Sequence, residues 1–144
     1  MKNVRVSNSG LLFLRLSAAL TMFLGHGWPK AKHLLSGEAI QFADPLGMGA
    51  SLSFILVILA ESICMLAVIL GLFTRLFLIP PIIDMAVVFF IFHAHDPYYQ
   101  KELSLLYLLL FLSIFLIGSG RYALQSLIAK KPAFKNLLGH FLTG

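Results

Sequence analysis

Glu61 is the only carboxylate in a largely apolar stretch that runs from Ala50 to Phe73. Holding a charge in hydrocarbon costs roughly 3 to 15 kcal/mol, depending on the reference state. A carboxylate kept there either pairs inside a helix bundle or takes part in binding or proton transfer. Arg15, His26 and Asp84 interrupt other apolar stretches. At about 1.5 Å of rise per residue, Arg15 lies about 8 Å from the face nearer the N-terminus and Asp84 about 12 Å. Glu61 lies about 20 Å in and His26 about 24 Å. Depth thus matches Arg15 with Asp84 and Glu61 with His26, whereas Arg15 to Glu61 must bridge about 12 Å. Glu61 and His26 are the candidate catalytic couple. A carboxylate near mid-membrane could exchange a proton with a bound carbonyl compound, and the histidine could relay it to the outer face. The plainer alternatives are a structural hydrogen bond for Glu61, an interfacial position for His26, a salt bridge for Asp84 and a snorkelling side chain for Arg15.

Other chemistry is poorly provided for. His93 and His95 stand two apart, so on a helix they point to different faces, and adding His26 and His33 creates no distinctive metal-ligand spacing. No metal is expected. The single cysteine, Cys64, excludes an intrachain disulfide and a CxxC redox pair, and reads as a small buried hydrophobe.

The residues that surround these groups define the solvent. Of 144 residues, 59% are hydrophobic and 12% charged, and the mean hydropathy is +0.91. A soluble domain carries about 25% charged residues, so this chain is expected to be all-α and embedded in a membrane. The net charge of +5 brings no basic run interleaved with aromatics, which argues against nucleic acid as a partner.

Four spans are predicted within a single domain, at about 10–28, 50–73, 76–93 and 103–118. The first resembles a signal peptide in outline, but Arg15 breaks its core and no small-x-small site follows, so it is expected to be retained. Pro29 is expected to close it. A loop to Gly49 follows, with room for a short interfacial helix. Thr74-Arg75 makes a tight connection, so the second and third spans must be antiparallel neighbours. Pro80-Pro81 falls in the early turns of the third span. Residues 123–144 carry Phe134, Leu137, Leu138, Phe141 and Leu142 at helical spacing, an amphipathic tail suited to a membrane surface.

Lysine and arginine set the orientation. One side holds Lys2, Arg5, Arg75, Arg121, Lys130, Lys131 and Lys135, without acids; the other holds Lys30, Lys32 and Lys101 among Glu38, Asp44, Asp96 and Glu102. Both termini are therefore expected in the cytoplasm.

The pattern Arg15-Leu16, then Phe23-Leu24-Gly25-His26-Gly27 and Lys30, resembles the first span of DoxX-like membrane proteins. Ala60-Glu61 leading to Leu70-Gly71-Leu72-Phe73-Thr74-Arg75 is similar to that family's second span and turn. His93 or His95, Glu102, and Gly118-Ser119-Gly120-Arg121-Tyr122-Ala123-Leu124 extend the likeness over about residues 11–124, with Ser119 where the family usually has proline. Asp84 and Pro80-Pro81 are not among the features that map onto this pattern. The resemblance implies a four-helix protein of the bacterial inner membrane, associated in some members with quinone-linked oxidation or with oxidative-stress complexes. It adds Lys30, His93, Glu102 and Arg121 to Arg15 and Asp84 as pocket residues. The expected function is a membrane subunit handling a quinone, with a soluble redox subunit as partner. An anchor or assembly factor and a small proton-coupled transporter are the alternatives.

Overall fold

Backbone in hydrocarbon has no water to bond to, so it must satisfy itself as helices or as a closed barrel. The structure, a computed structural model, describes residues 7–128 and takes the helical solution. Helices α1 (Asn8–Ser36), α2 (Ala50–Leu70), α3 (Thr74–Phe92) and α4 (Tyr98–Ile117) are long and apolar enough to cross a membrane. A short α5 (Leu124–Ile128) follows. Among the described residues the fold is all-α, without strands. The remainder of the expected amphipathic tail, residues 129–144, lies outside the described residues.

The helix limits differ from those read in the sequence, each for a local reason. Pro29 does not close the first span; α1 continues through it to Ser36. Phe23–Gly27 immediately upstream forms a widened π-helical turn. An α-helical Pro29 would press its ring against the carbonyl of Gly25, and the wider turn displaces the carbonyls from that spacing. The expected interfacial helix is therefore the end of α1, and residues 37–49 form the loop. At the other end of α2, Gly71 adopts φ 71° and closes the helix. The Leu72 amide donates to the Ala67 carbonyl at 2.9 Å and the Gly71 amide to that of Val68 at 3.0 Å. Only Leu72 and Phe73 then separate this cap from α3, so α2 and α3 are antiparallel neighbours. Helix α4 begins at Tyr98, because Pro97 starts it and nothing from Tyr98 to Glu102 breaks it.

The core joins Ala18, Ala19 and Met22 of α1, Met65 and Val68 of α2, Leu78 and Met85 of α3, and Tyr107, Leu108, Phe111 and Ile114 of α4. Lipid is as apolar as leucine, so these helices associate through close fit rather than through expulsion of water. Phe13 and Leu116, about three-quarters exposed, accordingly face outward. The hydroxyls of Ser17, Thr21 and Ser113 donate to carbonyls one turn back, which removes their need for water.

The start of α1, the α2–α3 turn and the end of α4 gather at one end of the bundle. There the Arg121 amide donates to Asn8 Oδ1 at 3.1 Å, and the Gln125 amide to the Gly71 carbonyl at 3.1 Å. Loops 37–49 and 93–97 form the opposite end.

Candidate functional site

Three helices carry a widened turn: Phe23–Gly27 in α1, Leu59–Cys64 in α2 and Val88–Phe92 in α3. Such turns are rare and often mark functional sites. The first two pack on each other, and α3 packs against the second. At the crossing, Gly27 lies against the Glu61 backbone. A Cβ at Gly27 would overlap the Glu61 carbonyl and come within 2.8 Å of Ser62 Oγ. Only glycine permits this approach.

Glu61 is 4% exposed, and its Oε2 accepts a charge-assisted hydrogen bond from Lys30 Nζ. Lys30 remains helical because α1 does not stop at Pro29. Helical side chains lean toward their own N-terminus, so the Lys30 stem descends toward mid-membrane and meets Glu61. Asp84, on α3, interacts electrostatically with both. Its Oδ2 is buried and has no hydrogen-bond partner among the described residues. All three groups stand on the wall of a cavity of about 470 Å³ between α2 and α3. The rest of the wall is mainly apolar, with Leu56, Val57, Ile83 and Val87 along the helices. Phe42, Pro45, Leu46 and Met48 from loop 37–49 cover its loop end.

That loop is fixed by Asp44. Its Oδ1 accepts from the Met48 amide at 2.9 Å and from Ser53 Oγ at 2.7 Å, and its Oδ2 from the Gly49 amide at 2.7 Å. The Ser53 hydroxyl, followed by the Gly49 amide, holds the Asp44 carboxyl below the usual carboxylate range. Nothing in the spacing of Asp44 to Ser53 separates such a lock from an ordinary polar loop.

The depth-matched pairs do not form. Glu61 meets Lys30, and His26 instead sets its ring edge-on to Tyr107, with centroids 5.8 Å apart. Arg15 does not reach Asp84. Its guanidinium donates to the carbonyls of Ser119 at 2.5 Å and Tyr122 at 3.4 Å, at the far end of the bundle. It is 2% exposed, so it does not snorkel either. His93 holds Asp96 at 2.7 Å beside loop 93–97. Glu102 and Arg121 are exposed and are not part of the cavity lining. Of the expected pocket residues, the fold brings together Lys30, Glu61 and Asp84. Sequence reasoning missed Arg75, which donates to the carbonyls of Phe115 at 3.1 Å and Leu116 at 3.4 Å. Its signal was available, since a cation opposite a helix C-terminus is favourable. Among the described residues no cluster of histidine, cysteine or acidic side chains could hold a metal ion.

A family model described as DoxX matches residues 10–94, more than half of the 144-residue chain. The chain belongs to the DoxX family. The match takes in α1, α2 and α3, and with them Arg15, His26, Lys30, Glu61 and Asp84; it ends before α4. No curated protein and no solved structure matches the chain. In this DoxX protein the membrane-spanning character and the all-helical bundle are thus established together, and the cavity is built wholly from loop 37–49 and the matched helices.

Proposed function

We propose that this DoxX protein is the membrane subunit of a quinone-linked redox system in the bacterial inner membrane, with both termini cytoplasmic and a soluble redox subunit as electron donor or acceptor. The observation that carries this reading is the apolar cavity beside Lys30, Glu61 and Asp84. A ring of quinone size fits a volume of this order, since ligand pockets run from about 300 to 1,000 Å³. A quinone supplies two-electron, two-proton chemistry. This chain would contribute the proton side of it. Lys30 fixes the Glu61 carboxylate at the crossing of α1 and α2. The ammonium pairs with Glu61 and reaches Asp84 only electrostatically, so the three groups are neutral together when one carboxyl holds a proton. That proton sits beside the cavity, where it can pass to a bound oxygen. His26, one turn from Lys30 on α1 and against Tyr107, is assigned the relay toward the loop end.

The closed Lys30–Glu61 pair equally fits an anchor whose buried charges serve packing. The two readings separate in one experiment, purification in mild detergent with extraction of bound quinone. The Lys30→Met/Glu61→Gln double variant removes both charges at once and is expected to keep most of the bundle's stability. Under the quinone reading, wild type yields bound quinone and this variant yields at least tenfold less while still melting cooperatively as a folded bundle. Equal yields would leave the pair a packing device.

A further inference from the structure

The cavity is open on a particular side, and one of its acids is left over. Among its lining residues, Leu56, Leu59, Ile83 and Phe92 are 40–57% exposed although they belong to membrane-crossing helices. Residues that both line a cavity and face lipid stand at its mouth, so the cavity opens toward hydrocarbon between α2 and α3. Loop 37–49 covers the end through which water would come, with Asp44 holding that cover in place. Pro80 lies on the same wall, within one turn of Asp84, and Pro80-Pro81 leaves the carbonyls of Leu76 and Phe77 without their helical donors. Glu61 is engaged by Lys30, whereas Asp84 Oδ2 faces no partner among the described residues.

We propose that the ligand is a lipid-soluble, tailed quinone that enters sideways from the bilayer between α2 and α3, and that Asp84 is the residue that meets its carbonyl oxygen. The proposal deepens the quinone reading above and rests on it. Asp84, carrying the proton that balances the three charged groups, donates a hydrogen bond to the carbonyl. The ring lies along Ile83 and Val87, and the tail leaves through the mouth past Leu56 and Leu59. From Asp84 to Phe92 the wall runs about 12 Å along α3. That is room for a ring and the first part of a tail, not for a whole isoprenoid chain, which stays in lipid.

Two measurements on the full chain in nanodiscs test this. In the first, phospholipids with a mid-chain diazirine are photolysed and the labelled peptides are mapped. Lateral opening predicts label on Asp84 as well as on outward-facing Ile79, and added decylubiquinone protects Asp84 only. Label on Ile79 without label on Asp84 would overturn the opening. In the second, decylubiquinone affinity is compared across variants. Asp84→Leu is expected to weaken it about tenfold, the worth of one hydrogen bond of about 1.4 kcal/mol. Asp84→Asn, which retains a donor, is expected to stay within threefold of wild type. Equal affinity for all three would overturn the role of Asp84. If wild type binds no decylubiquinone, the quinone reading and the role of Asp84 fall together, while the photolabelling still decides the route of entry.

Discussion

The Lys30–Glu61 pair joins a nearly buried carboxylate to an ammonium that is 23% exposed at its side chain. Breaking a buried pair from one side strands the other charge, which costs more than the pair's net worth. Lys30→Met alone is therefore expected to destabilise the bundle by about 3 kcal/mol, and Glu61→Gln by a similar amount. The double variant should recover most of that loss, and unfolding in a graded detergent mixture completes the cycle. Additive losses would show that the pair is not coupled. Asp44 gives a different signature. Its folded-state value is lowered, so its contribution to loop 37–49 is present above the ordinary value of 3.8 and fades as pH falls through the lowered one. Amide exchange at Met48 and Gly49 should therefore lose protection below about pH 4, and Asp44→Ala should abolish that dependence. The carboxylate partners themselves were not legible in the sequence. Depth along straight helices pointed Glu61 at His26, because Pro29 read as a terminus and removed Lys30 from the helix that carries it.

At the scale of elements, the number, order and pairing of the spans follow from hydropathy and from the tight connection before Thr74. Their ends do not. The helix passes through Pro29 on a wide turn that no periodicity encodes, and α4 starts at Tyr98 because Pro97 precedes an unbroken helical stretch. Two glycines show how strict the contacts are. At Gly27, any side chain meets the Glu61 carbonyl. Gly27→Leu should push α1 off α2, separate Lys30 from Glu61 and lower the folded fraction recovered from membranes. Gly71 combines φ 71° with neighbours on both sides, since a Cβ would come within 2.7 Å of Ala123 and 2.9 Å of Arg15. Gly71→Ala should cost at least about 1 kcal/mol from the backbone alone. Because Arg15 sits at this turn, the variant should also loosen its hold on Ser119, which faster exchange of amides 119–123 would report.

The whole molecule is polarised. Arg15 and Arg75 both donate to carbonyls at or just after the end of α4, which ties three helices together at the end where α1 starts and α4 finishes. The cavity with Lys30, Glu61 and Asp84 belongs to the other half. In a Cys64→Ala background, thiols placed at residues 9 and 126 should react from one side of the membrane and thiols at residues 41 and 95 from the other. The side of residues 9 and 126 is expected to be the cytoplasm. Reaction of residues 9 and 41 from the same side would refute the four-span arrangement. This polarity was half visible in the sequence. Cation placement sorted the two sides, but a single buried arginine carried no sign that its partners would be carbonyls a hundred residues away. Those partners are backbone atoms, which have no identity in a sequence.

The widened turn in α2 has a consequence for how this molecule tolerates change in length. It is in effect one surplus residue threaded into a helix, and removing one residue from Leu59–Cys64 would return the segment to ordinary winding while leaving it long enough to cross a bilayer. Because the wide turn absorbs the surplus residue, the halves of α2 on either side of the deletion would keep their relative facing. Leu56 and Val57 would still face the third helix and Met65 and Val68 the core, but the turn that sets Glu61 against Gly27 would be redrawn, so a shortened protein would insert and remain a bundle yet lose the meeting of Lys30 with Glu61.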